Sequence, residues 1–235
     1  MDNNENYVSN MPEQFRAEET RALGAHVAKV FGIMFAGLAV TAVTAVFCAS
    51  SGLLVRMGAF VYVLMIAQFI LVIALSASIQ KMSYAAALNT FLAYAVLNGI
   101  TLSFIFYVYD IGLIGVALAV TAVTFGVMSV YGYVTKADLT GFGSLALMFL
   151  VGGIIITLVN LFIRSEAIDF LVSFVMLAVF IGLVAYDTQK IKHYFYAAQG
   201  NPEMQRKTGI FGALSLYLDF INIFLRLLRV LGRRR

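Results

Sequence analysis

The sequence predicts an all-α polytopic membrane protein in which six transmembrane helices surround a central, C-terminal seventh helix. Hydrophobic residues make up 62% of the 235-residue chain and charged residues only 12%, and the mean hydropathy is +0.92. A soluble domain carries roughly 45–50% apolar and about 25% charged residues. Apolar runs of about 20 residues, the length that crosses roughly 30 Å of hydrocarbon as a helix, recur along the chain.

Charged residues at the turns divide the hydrophobic part into seven segments. We expect one seven-helix transmembrane domain over residues 26–235, preceded by a soluble tail over residues 1–25. The expected helices cover 27–49, 58–79, 84–108, 111–134, 143–163, 168–191 and 209–231. The longest predicted loop, about 190–208, holds the charged or titratable residues Lys190, Lys192, His193, Glu203, Arg206 and Lys207. The polar N-terminus predicts no cleavable signal peptide, so the first span must direct its own insertion.

The positions of Lys and Arg predict a cytoplasmic N-terminus and leave the side of the C-terminus open. If all seven segments cross, nine of the 16 basic residues lie inside, but the Arg-rich C-terminus lies outside. That arrangement opposes the positive-inside tendency. If the seventh segment re-enters without crossing, 14 of the 16 lie inside.

Composition also limits the partners and cofactors. The net charge of +4 suits the lipid bilayer with its anionic surface better than nucleic acid, so no nucleic-acid partner is expected. The single cysteine, Cys48, cannot form an internal disulfide or a metal cluster. His26 and His193 are far apart in sequence, and we expect no bound cofactor.

Two aspartates, Asp187 and Asp219, fall within the apolar interior of predicted spans. An ionisable group in hydrocarbon costs several kcal/mol, so each is a functional-site candidate. In the last segment Ser215, Asp219, Asn222 and Arg226 are spaced four, three and four residues apart. This spacing puts them on one face of a helix, and a polar stripe of this kind must face protein or water. The last helix is therefore expected to be central.

The two aspartates would form a pH switch if they met. Two carboxylates in one site cannot both ionise cheaply, so they share a proton and titrate as a pair. Loss of the proton leaves two repelling charges, and the ionised pair suits a hard cation such as calcium. The helical rise gives an axial offset on the order of 9 Å between the two residues, so the sequence permits their contact without fixing it.

Three segments resemble the signature of the Bax inhibitor-1 family, and the chain is similar to its prokaryotic members over about residues 25–231. The segments are Asn98-Gly-Ile-Thr101-Leu-Ser103, Ala185-Tyr-Asp187-Thr-Gln-Lys-Ile-Lys-His193 and Ser215-Leu-Tyr-Leu-Asp219-Phe-Ile-Asn222 with the residues up to Arg229.

The resemblance implies a function as well as a fold. It implies a pH-sensitive calcium leak in the bacterial inner membrane, gated by Asp187 and Asp219, with calcium as the transported ion. It also implies that a membrane-anchored ATP-dependent protease can grip the N-terminal tail.

The chain departs from the family pattern at two positions. Some members carry a Glu in the second helix, where this chain has Gln68, and an Arg cluster at the end of that helix. Here only Lys81 is near, which makes it the candidate counter-charge, although Lys cannot form the bidentate fork of Arg. Gln68, Asn98, Ser215, Asn222 and Arg226 are candidate path-lining residues.

Two other functions compete with the leak channel or transporter. The first is a non-conducting modulator or substrate of a membrane protease. The second is an intramembrane aspartyl protease, because Tyr186-Asp187 matches half of that motif. Tyr217-Leu218 precedes Asp219 where the Gly-rich half should be, and no proline follows Pro202. We therefore expect the protein not to be an enzyme.

Overall fold

The computed structural model describes residues 13–78 and 81–232, and all regular elements in these two ranges are helices. They are α1 Glu13–Ser51, α2 Leu53–Met57, α3 Phe60–Ser78, α4 Tyr84–Leu102, α5 Ile105–Val108, α6 Ile111–Val134, α7 Thr140–Ile163, α8 Glu166–Ala197 and α9 Pro202–Gly232. Seven helical segments are long and apolar enough to cross a membrane, with α4 and α5 forming one of them. The predicted all-α, seven-span class is confirmed.

The first helix begins well before the predicted span of 27–49. It starts at Glu13 and continues to Ser51. Residues 13–26 are rich in Glu, Arg and Ala, which are strong helix formers, so the helix extends beyond its hydrophobic part. Residues 1–12, the first half of the predicted tail, lie outside the described residues.

The predicted loop over 190–208 is wrong, because most of it is helical. Helix α8 continues to Ala197 and α9 starts at Pro202. Proline is well suited to the first helical position, where its missing N–H would have no partner. The Asn201 side chain caps this start by accepting a hydrogen bond from the Met204 N–H at 3.0 Å. Hydropathy marks where a helix leaves hydrocarbon, and these two helices extend past that boundary.

The last helix is the most buried of the seven spans. In its hydrophobic window 61% of residues are buried, against 6% in α3 and in α7. Helix α9 packs against α8, α1, α6 and α4, whereas α3 packs mainly on α4 and α7 on α8. The predicted arrangement of six helices around the last one is therefore not confirmed in that form.

Contacts at its two ends show that α9 runs the full length of the bundle. Gln199, just before α9, donates from Nε2 to Glu19 Oε1 at 3.0 Å, near the start of α1. Arg229, near the end of α9, forms a 2.8 Å ion pair with Asp169 in the first turn of α8. We call the end with loops 135–139 and 198–201 the N-terminal end, and the end with Asp169 the opposite end. Helix α9 therefore ends at the opposite end of the bundle. The charge distribution alone had left the side of the C-terminus open.

A close backbone approach fixes the position of α8 near Asp187. A Cβ placed on Gly132 in α6 would lie 2.7 Å from the Ala185 Cα in α8. Only glycine permits this distance, because the neighbouring atoms belong to backbone that cannot rotate away. Ala185 is two residues before Asp187, so this contact positions the turn that carries the carboxyl group.

We predict that Gly132→Val lowers the free energy of unfolding by about 1–3 kcal/mol, because the added side chain must push two helices apart. Thermal unfolding in detergent would measure the loss, with thiol labelling of Cys48 as the readout of unfolding. Cys48 is only 2% exposed, so it reacts when the bundle opens. Gly126→Val in the same helix is the control, because a Cβ there meets open space. Equal midpoints for the two variants would contradict the prediction.

Candidate functional site

The structure brings Asp187 on α8 and Asp219 on α9 together, so that their carboxyl groups lie close enough to interact. Asp219 is buried, with 4% of its surface exposed, and Asp187 is partly buried. An ionised carboxylate can only accept hydrogen bonds. A hydrogen bond between these two groups therefore requires that one of them carries a proton.

The antiparallel packing of α8 and α9 explains how two residues at different heights make contact. Ile191 lies against Gly212, where an added Cβ would be 2.7 Å from the Ile191 Cγ1. Asp187 lies four residues from Ile191 along α8, and Asp219 lies seven residues from Gly212 along α9. Both displacements are toward the opposite end. At about 1.5 Å per residue the offset is only about 4–5 Å. Side chains lean toward the N-terminus of their own helix, so the two carboxyl groups lean toward each other.

The positive charge beside the pair comes from Lys190. Its ammonium group interacts electrostatically with both carboxyl groups, and it lies three residues after Asp187, on the same face of α8. Three aromatic rings surround the ammonium, and cation–π attraction favours a charge held in this way. The distances from Nζ to the ring centroids are 5.3 Å for Tyr186, 5.7 Å for Tyr194 and 5.8 Å for Phe211.

Lys81 and Gln68, the residues that depart from the family pattern, lie away from this pair. Lys81 is exposed just before α4, and the charged groups that act on the two carboxyls include Lys190 but not Lys81. Gln68 on α3 accepts a hydrogen bond from the Thr101 hydroxyl of α4 at 3.3 Å. Lys190 was not among the predicted site residues, because it was expected in the loop after the sixth segment. The three-residue spacing from Asp187 was the available signal.

Asn98 contributes to a second polar cluster, on a different face of α9. Its Nδ2 donates to the Tyr217 hydroxyl at 2.9 Å, and that hydroxyl lies 2.7 Å from the Thr41 Oγ1. Tyr217 precedes Asp219 by two residues, which is about 200° around the helix. This cluster therefore joins α9 to α1 and α4, whereas the carboxyl pair joins α9 to α8.

The rest of the predicted polar stripe lies along α9 on both sides of the carboxyl pair. Ser215 is partly buried, one turn before Asp219. The Asn222 side chain donates to the Leu218 carbonyl of its own helix at 2.8 Å. Arg226 interacts electrostatically with Asp169. The stripe thus connects the pair to the Arg229–Asp169 ion pair at the opposite end.

The carboxyl pair is not part of a larger group of metal-ligating side chains. Within residues 13–78 and 81–232, no three or more His, Cys, Asp or Glu side chains are placed to hold a metal. Calcium takes six to eight oxygen ligands, which two carboxyl groups cannot supply. One buried oxygen of the pair, Asp219 Oδ2, has no hydrogen-bond partner.

Seven spanning helices and a buried carboxyl pair define a polytopic membrane protein with an acidic site inside the bundle. The chain belongs to the family described as "Inhibitor of apoptosis-promoting Bax1", whose model matches residues 23–235. The family predicted from the three sequence motifs is thereby confirmed.

Several bacterial proteins are similar to this chain over nearly its whole length. The inner membrane protein YbhL of Escherichia coli is 46% identical over 218 residues, which are 91% of this chain and 93% of the relative. A protein of Borreliella burgdorferi is 43% identical over 214 residues, 89% and 92% of the two chains. A protein of Deinococcus radiodurans is 39% identical over 221 residues, 94% of each chain.

We predict that Tyr217→Phe lowers the free energy of unfolding by about 1 kcal/mol, because the Asn98 amide loses its buried acceptor. Thr41 keeps its bond to the Ala95 carbonyl at 2.9 Å. The same Cys48 labelling experiment measures this loss. Tyr62→Phe is the control, because Tyr62 is 70% exposed. A Tyr62→Phe variant as unstable as Tyr217→Phe would show that the cluster contributes nothing specific.

Proposed function

We propose that this protein is a pH-sensitive, calcium-permeable leak channel or transporter, gated by Asp187 and Asp219. The observation that supports the proposal is the close approach of two carboxyl groups on different spanning helices inside the bundle. We place the protein in a bacterial inner membrane, as the name of the Escherichia coli relative suggests. We place the N-terminus in the cytoplasm, because nine of the 16 basic residues then lie inside, although the Arg-rich C-terminus then lies outside.

The shared proton is the proposed latch between α8 and α9. While the proton is present, the carboxyl pair ties the two helices together. When it is lost, two negative charges repel each other in a medium of low dielectric constant, and this repulsion favours separation of the helices. Lys190 lies beside both carboxyls and limits that repulsion. We therefore expect flux to rise with pH.

The polar stripe on α9 is the proposed route from the pair to the opposite end. There the Arg229–Asp169 ion pair lies beside a cavity of about 420 Å³ that Asn160, Arg164 and Glu166 also line. Arg226 and Arg229 add positive charge along this route, which opposes the passage of a cation. Slow passage of this kind is the behaviour of a leak.

Calcium flux into liposomes that contain the purified protein tests the proposal. We expect the wild-type flux to increase between about pH 5.5 and 8, and Asp219→Asn to abolish this dependence, because the pair can no longer exchange its proton. Asp138→Asn is the control, since it also removes one carboxylate. Asp138 is exposed in the loop before α7, where hydrogen bonds from Thr140 hold the pKa of its carboxyl below the usual range. Its charge therefore stays constant over these pH values.

The outcome for Asp219→Asn decides the gating role. An unchanged flux with an unchanged pH profile would sink the proposal. Loss of pH dependence in Asp138→Asn as well would show that the effect is one of net charge and not of the buried pair.

We also propose that a membrane-anchored ATP-dependent protease engages the N-terminal tail. Residues 1–12 precede the part of the chain that the structure describes, and α1 is described from Glu13 onward. Deleting residues 2–12 should lengthen the lifetime of the protein in cells, measured after synthesis is stopped. Deleting residues 233–235 serves as the control. A lifetime unaffected by the N-terminal deletion would count against this partner.

We propose transport and not catalysis for the carboxyl pair. The Gly-rich approach that an intramembrane aspartyl protease needs is replaced by Tyr217-Leu218, and Tyr217 is occupied by its contacts with Thr41 and Asn98. Cleavage of a membrane-helix reporter that stops in Asp187→Asn would overturn this part of the proposal.

A further inference from the structure

A second polar site lies at the N-terminal end of the bundle, between α1 and the start of α9. It is a cavity of about 180 Å³, separate from the carboxyl pair. A single water molecule needs only about 10–15 Å³ by the same kind of measure, so the cavity can hold a group of several atoms. The side chains that give it chemical character are those of His26, Lys29, Val30, Ile33, Gln205 and Arg206.

The polar part of this cavity is basic. Lys29 comes from α1 and Arg206 from α9, so folding brings together two cations that are far apart in sequence. No Asp or Glu lines the cavity, and neither cation forms an ion pair with the residues that the structure describes. Both side chains are exposed, and an anion placed between them would be attracted by both charges.

His26 adds a third group that can bind an anion. Its ring packs against Phe195 at 5.3 Å between centroids, and its Nε2 is buried without a hydrogen-bond partner. A Cβ placed on Gly209 would lie 3.3 Å from the His26 Cε1, so α9 holds the ring against the cavity from the other side. A ring nitrogen that carries a proton can donate a hydrogen bond to an oxyanion.

The cavity lies close to the starts of α4 and α9, at the N-terminal end of the bundle. Lys29 places its Nζ 5.6 Å from the ring centroid of Tyr84, the first residue of α4, and α9 begins at Pro202 on the rim. Val30 and Ile33 line the cavity farther along α1, toward the centre of the bundle. The site is therefore basic at the surface and apolar below, which is the polarity of a glycerophospholipid near its phosphate.

We propose that this cavity binds the phosphate group of an anionic glycerophospholipid. Lys29 and Arg206 neutralise the phosphate, His26 Nε2 donates a hydrogen bond to one of its oxygens, and Val30 with Ile33 contact the upper acyl carbons. A basic recess between spanning helices is the kind of place where anionic headgroups bind. A lipid bound here would join α1 to α9, the helix that carries Asp219.

Native mass spectrometry of the full chain in neutral detergent, titrated with phosphatidylglycerol, tests the site. We expect Lys29→Gln with Arg206→Gln to weaken binding about tenfold, because both charges that face the phosphate are lost. Lys81→Gln with Lys136→Gln is the matched control, since it removes two exposed cations that do not line the cavity. Lys29→Arg with Arg206→Lys keeps both charges and should retain binding. Size-exclusion profiles identify any variant that has not folded.

Each other outcome overturns the proposal. Equal loss of binding in the pocket and control variants would assign it to general surface charge, and full binding in the pocket variant would exclude the cavity. Phosphatidylcholine that binds as tightly as phosphatidylglycerol would remove the role of lipid charge. Displacement of the lipid by millimolar inorganic phosphate would identify a site for small anions and not for a lipid.

Discussion

The close approach of the Asp187 and Asp219 carboxyl groups is the constraint on which the rest of the site depends. Two carboxyl groups can share a hydrogen bond only while one proton remains between them. The pair joins the two helices that lie side by side along the bundle, one of which is the most buried span. Two bare charges in hydrocarbon are costly. Under the proposed latch, a single proton would affect the packing of the most extensive helix–helix contact among the described residues.

The surroundings of the pair hold it in place from several directions. Gly132 lets α6 approach the backbone of α8 next to Asp187, and Gly212 lets α9 lie close to Ile191. Lys190, held among aromatic rings, gives the pair a cation without an arginine from the second span.

Three of the polar contacts of helix α9 lie well apart along its length. The hydroxyl of Tyr217 meets α1 and α4, Asp219 meets α8, and Arg229 meets the first turn of α8 at the opposite end. Polar contacts between spanning helices specify which faces meet, because lipid cannot replace them. A rotation or a slide of α9 would break all three sets together. The helix is therefore well suited to respond as one unit when the proton of the pair is lost.

The sequence by itself determined the features that depend on local composition. Apolar runs predicted seven spans. The free-energy cost of an ionisable group in hydrocarbon identified Asp187 and Asp219 as candidate site residues. Helical spacing put Ser215, Asn222 and Arg226 on one stripe, and three motifs predicted the family. Charge alone could not decide whether the last segment crosses. Local patterns also missed the extension of α8 and α9 beyond hydrocarbon, because hydropathy falls at the membrane surface while helical hydrogen bonds continue.

Only the tertiary structure decided which groups meet. The contact between the two carboxyls depends on the register of α8 against α9, and that register is set by the close approach of Ile191 to Gly212. The cation beside the pair is Lys190 and not the expected Lys81, because α8 continues past Lys190 and keeps it on the face that carries Asp187. The partners of Tyr217 come from helices more than 100 residues away. Periodicity describes the faces of one helix, whereas pairing of faces is a property of the packed bundle.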